Sequence, residues 1–142
     1  MKKICPTAFL ACMIILMVMS AAHAQSSQQT LNQYVADLQK NPGDYALREK
    51  IIRHVQTMRP APVVPEEAKR HLARGKAALR GAKEARDFQD AAEEFKKAIL
   101  YAPWLAEGYY NLGVIQDKAG HYDDAMKNLK LHLIAVPQGP GC

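Results

Sequence analysis

What most limits the folds open to this chain is a repetition at one fixed distance. Phe88, Ala91, Phe95, Ala98, Ile99 and Pro103 are answered by Tyr122, Ala125, Leu129, His132, Leu133 and Pro137, every pair 34 residues apart. Self-similarity at one such period marks a stacked repeat. A single helical hairpin cannot bury its apolar side alone, and the next hairpin covers it. The predicted fold class is all-α: a short α-solenoid of antiparallel helix pairs, with about six helices after an N-terminal leader. The pattern points to an architecture and not to a chemistry.

Particular residues in the second copy explain the pattern physically. Gly113 and Ala125 carry almost no side chain, so two helices can approach closely there, with Tyr109 and Tyr122 expected to fill the space around them. Lys118-Ala119-Gly120 reads as a helix stop, with glycine suited to the left-handed turn. Asp123 and Asp124 fall in the first turn of the next helix, where negative charge is favourable. Pro137 ends that helix. In the first copy, Ala68 and Gly75 take the places of Ala106 and Gly113 at a separation of 38, so four residues are inserted between Gly75 and Phe88. Four residues are about one helical turn, and an extended helix absorbs them with the same face inward. This copy is degenerate. His71 and Arg74 stand where an aromatic and a leucine are expected, and Arg86 replaces the turn glycine. Its second helix is read from Asp87 to Tyr101.

The segment AEGYYNLGVIQDKAGHYDDAMKNLKLHLIAVPQG, residues 106–139, resembles a tetratricopeptide repeat. Tyr109, then Leu112-Gly113, then Gly120-x-Tyr122-x-x-Ala125 and a late Pro137 carry the likeness, while Gln116 stands in place of the usual second aromatic. The resemblance implies a protein-interaction scaffold or adaptor, binding a polypeptide along its concave face; together with the leader read below, the expectation is an adaptor of the bacterial cell envelope. Carried over position by position, the ligand-facing residues are Glu107, Tyr110, Asn111, Val114, Asp117 and Lys118, with Lys69, Leu72, Ala73, Lys76, Leu79 and Arg80 in the degenerate copy. The family's carboxylate-clamp pattern is not met, because Leu72 and Lys76 stand where its Lys and Asn would be. Lys69, Lys76 and Arg80 nonetheless share a helix face. With Tyr110, Asn111 and Lys118 beside them, they would suit an extended, acidic peptide; a plain solvated helix face is the other reading.

Upstream, Leu31, Tyr34, Val35 and Leu38 recur at helical spacing before Asn41-Pro42-Gly43-Asp44, and Leu47, Ile51, Ile52 and Val55 recur after it. Residues 25–58 thus read as a helical hairpin, a degenerate half-repeat. Three prolines in 59–65 make a stiff spacer before the repeats at 66–105 and 106–139 and the tail at 140–142. Pro65 itself is suited to the first helical position.

Met1 to Ala24 has the layout of a secretory signal peptide: Lys2 and Lys3, an apolar stretch, then Ala22-His23-Ala24. Cleavage between Ala24 and Gln25 would put the domain in the periplasm or outside the cell. The alternative is an uncleaved inner-membrane anchor with the domain facing the periplasm, the one case in which a membrane is a partner. A lipoprotein reading of Cys12 fits poorly, because the apolar run continues past it. Without Lys2 and Lys3, 17 basic residues face 14 acidic ones, too mild an excess to argue for nucleic acid. Cys142 would then be the only cysteine, excluding an internal disulfide but open to one between chains.

Catalytic and metal signatures are missing from the sequence. The histidines at 54, 71, 121 and 132 form no metal-binding spacing, and Glu93-Glu94 and Asp123-Asp124 are neighbours whose side chains diverge. The expectation is no enzyme, no metal and no cofactor. Two functional classes stay open: the adaptor, and a structural protomer that associates with itself through the C-terminal edge or Cys142. The second arises because Leu129, Leu131, Leu133 and Ile134 cannot all face inward.

Overall fold

The computed structural model describes residues 25–137; the expected leader, Cys12 and the tail with Cys142 lie outside them. Residues 25–40 form α1. Five helices follow: α2 (Tyr45–Thr57), α3 (Glu66–Gly81), α4 (Ala85–Tyr101), α5 (Ala106–Lys118) and α6 (Tyr122–Ala135). No strand occurs among the described residues. α3 packs on α4, α4 on α5 and α5 on α6, forming a short solenoid of paired helices.

The small residues set the packing distances. A Cβ placed on Gly75 would lie 2.9 Å from the Phe95 ring, and one on Gly113 would lie 2.8 Å from Leu129 Cγ. A Cβ on Gly108 would overlap Ile99 Cγ2. Each glycine therefore receives a large side chain from the facing helix. Ala91, Phe95, Ala98, Tyr109, Leu112 and Ala125 are all buried, as is Pro103, while Phe88 is half-buried against the core. Leu129, not Tyr122, meets Gly113, and Tyr122 points outward. The expectation that Tyr122 would fill that space is thus corrected. It stands at the start of the last described helix, where no helix among the described residues covers it.

Helix ends follow local chemistry. The left-handed turn at Gly120 (φ 79°) lets His121 N–H donate to the Gln116 carbonyl and Gly120 N–H to that of Asp117, a closure that satisfies carbonyls at the end of α5. Asp123 and Asp124 lie in the first turn of α6, as expected. The first copy has no such glycine turn. Instead Glu84 and Asp87 cap α4 reciprocally, with Asp87 Oδ2 accepting from Lys83 N–H (2.9 Å) and Glu84 N–H (3.1 Å). α4 therefore begins at Ala85, two residues ahead of the expected Asp87. Most of the four-residue insertion becomes this added first turn: α4 has 17 residues and α6 has 14. Arg86 is tolerated because it lies inside a helix, where no positive φ is needed. Pro65 precedes α3 instead of opening it, since its ψ of 146° is extended.

The N-terminal hairpin turns at Pro42-Gly43, where Asp44 caps α2 by accepting from Leu47 N–H at 2.8 Å. Leu31, Leu38, Ile51 and Met58 form its own small core. α2 does not extend the stack next to α3. Instead α2 lies against α6, with Ile52 joining the main core and the Gln56 amide donating to the Ile134 carbonyl at 2.5 Å. Buried Arg48 holds it there. Its Nη1 donates to the Ile99 carbonyl (3.0 Å) and the Tyr109 hydroxyl (3.3 Å), and its Nη2 to the Pro42 carbonyl (2.9 Å). The Tyr109 hydroxyl donates in turn to the Pro103 carbonyl at 2.8 Å. Burial pushes the Tyr109 phenol up, opposed by the Arg48 charge.

Two stability outcomes follow from these contacts. Gly113→Ala should lower the unfolding free energy by about 1–3 kcal/mol, because Leu129 must shift. Gly81→Ala, with nothing near its Cβ, should be neutral or stabilising by up to about 1 kcal/mol. Urea titration of both variants checks this; equal losses would remove the packing explanation. Arg48→Met should cost about 2–4 kcal/mol, since it strands buried acceptors on α4 and α5. Faster amide exchange in α2 should accompany that loss.

Candidate functional site

The expected groove residues sit on the first helices of the two pairs. Their arrangement follows from α3 and α5 both packing against α4, which brings those two helices near each other. The direct sign of this is an ion pair at 2.7 Å between Lys76 of α3 and Glu107 of α5, both sides about half exposed. Lys69 is exposed and pairs within its own helix with Glu66 at 3.3 Å. Arg80 is exposed and makes no ion pair among the described residues. Leu72 and Leu79 are half-buried and pack against the main core, so they support the face more than they present it. Ala73 is exposed.

On α5, Tyr110 is half exposed, with its ring 5.2 Å from that of His132. His132 Nδ1 lies 3.0 Å from the Ala106 carbonyl, so this histidine ties α6 to the start of α5. The Asn111 amide donates to the Glu107 carbonyl at 2.8 Å, which leaves its side-chain oxygen available. Val114 is half-buried, and Asp117 is exposed. Lys118 departs from the group. Its ammonium stands 6.0 Å from the centre of the Phe88 ring on α4 and borders a different cleft. That cleft, of about 680 Å³, lies among α4, α5 and α6 and is lined by Phe88, Glu93, Lys96, Gln116 and His121, among others.

His71 stands in an aromatic position of the repeat pattern and behaves partly as one. Its ring stacks on Tyr101 at 5.7 Å with 3° between the planes, while Nδ1 donates to Glu94 Oε2 at 2.8 Å. A polar ring thus serves a packing place because Glu94 faces it across the α3–α4 pair. The bond from His71 holds the Glu94 carboxyl below its ordinary 4.5, burial opposes this, and Lys97 adds to it.

No cluster of three or more His, Cys, Asp or Glu placed to hold a metal ion occurs among the described residues, nor any helix long and apolar enough to cross a membrane. The Lys76–Glu107 contact was not foreseeable as a pair, although both residues were placed on the face. Nothing in the sequence marks Arg48, since a lone arginine in an amphipathic helix looks like a solvated one. No protein-family model matches this chain, and no curated protein matches it.

The Glu94 link gives a pH outcome. A carboxyl held low in the folded chain contributes stability that is present above about pH 4.5 and lost as pH falls through its folded value. Glu94→Gln should therefore flatten the fall of the thermal midpoint between about pH 5 and 3. Parallel curves for variant and parent would show that the bond adds nothing.

Proposed function

We propose that the protein is an exported scaffold of the tetratricopeptide kind, holding an extended acidic segment of another polypeptide across α3 and α5. The observation that carries this reading is the Lys76–Glu107 ion pair. It sets residues of both first helices on one solvent-facing surface, with Arg80, Tyr110 and the Asn111 side-chain oxygen alongside. An ion pair this exposed contributes only about 0–1 kcal/mol. A partner carboxylate can therefore take the place of Glu107 at little cost, while Arg80 meets a second one. Tyr110 adds a flat apolar surface for a side chain between them. The reading needs no catalytic step, metal or cofactor.

Capture from the host's cell-envelope fraction tests it. Lys76→Glu with Arg80→Glu should weaken retention of the bound polypeptide about tenfold or more. Retention of every captured species at the parent level would reject the α3–α5 face. Export is checked separately by intact mass. A chain beginning at Gln25 agrees with a cleaved leader, and one beginning at Met1 agrees with an anchor.

A further inference from the structure

The 34-residue correspondence assigns a role to a second surface. On α4, Ala92 and Ile99 are buried (8% and 2% exposed), and Phe88 packs against the core. That face receives α5, with Ile99 seated against Gly108. The residues 34 positions later on α6 are Met126, Leu133 and Tyr122, and they are 66%, 66% and 67% exposed. Leu129, between them, is half-buried and corresponds to buried Phe95. Tyr122, Met126, Leu129 and Leu133 line one shallow, mainly apolar depression, which Asp117 and Lys130 also border. Their spacing puts them on a single stripe of the helix. α6 thus repeats a helix-receiving face and has no helix on it among the described residues.

We propose that this stripe pairs with the same stripe of a second copy, α6 antiparallel to α6, about a two-fold axis near the middle of the helix. Two observations select this occupant. The first concerns the alternative of adding another copy head to tail, with its α3 taking the place that α5 takes on α4. At the 38-residue offset between the two first helices, Gly108, Leu112 and Ile115 of α5 correspond to Arg70, Arg74 and Ala77 of α3. All three are exposed, and the two arginines would be laid over Met126 and Leu133, which the desolvation of charge opposes. The second concerns charge on α6 itself. Asp123 and Lys130 are exposed, two turns apart on one flank of the stripe, and neither forms an ion pair among the described residues. Lys130 acts on Glu49 of α2 only through space. In an antiparallel two-fold pair like flanks face each other, so Asp123 of each copy meets Lys130 of the other. The stripe is self-complementary in both apolar surface and sign of charge.

Sedimentation of the full chain in reductant, at up to about 300 µM, tests the pairing, with reductant removing any contribution from Cys142. A concentration-dependent dimer is expected. Met126→Glu or Leu133→Glu should raise its dissociation constant about 100-fold or more, because each buries an unpaired charge in the pair. Both positions are exposed in the single chain, so circular dichroism should be unchanged. Asp123→Lys and Lys130→Asp should each weaken the dimer, and the double swap should recover it. A monomer throughout, a dimer seen only without reductant, or one that both glutamate variants leave intact overturns the proposal. The surface is distinct from α3–α5, so the loss of polypeptide capture by Lys76→Glu with Arg80→Glu should leave the dimer unchanged.

Discussion

The close approach of facing helices at three glycines governs this molecule. Gly75 admits the Phe95 ring, Gly108 admits Ile99, and Gly113 admits Leu129. These contacts link α3 to α4, α4 to α5 and α5 to α6, so each step of the stack has one. A larger residue at any of the three would push a helix pair apart and carry the displacement through the shared helices α4 and α5. Interiors this close-packed transmit small volume changes instead of absorbing them. The recognisable residues of the repeat are thus occupied with spacing helices, and the sides that packing does not use stay exposed.

The stack is held at one side by the N-terminal hairpin, and the means is polar. Arg48 brings its guanidinium to carbonyls from its own turn and from α4, and to the Tyr109 hydroxyl of α5. A buried cation is costly unless its donors are met, and here backbone carbonyls meet them. The arrangement joins α2 to the middle of the stack, and α2 also lies against α6, so it steadies the last described helix instead of lengthening the row. On α3, Lys69, Arg70, Arg74 and Arg80 are exposed, while α6 keeps its apolar stripe.

Legibility in the sequence followed the range of the interaction. The repeat was readable because Gly113, Ala125 and their counterparts recur at fixed distances, and the Gly120 turn because it is local. The start of α4 lies two residues ahead of the position the repeat alignment predicts, because the Glu84–Asp87 caps outweigh that alignment. The exposure of Tyr122 could not be read from its identity, since the same position in the first copy is Phe88, which packs against the core; what differs is whether another described helix lies against it. Arg48 and the Lys76–Glu107 pair depend on contacts across 51 or more residues and across 31 residues, and no local pattern announces them. On the candidate face, single residues were legible and their pairing was not.

The most direct test is site-specific photo-crosslinking in living cells from two positions on one chain, Arg80 and Met126. If the two outward faces serve different contacts, position 80 should attach to a different polypeptide and position 126 should yield an adduct of twice the chain's mass. Failure of both positions to form any adduct in cells that produce the protein would contradict the idea that these faces exist for contact at all.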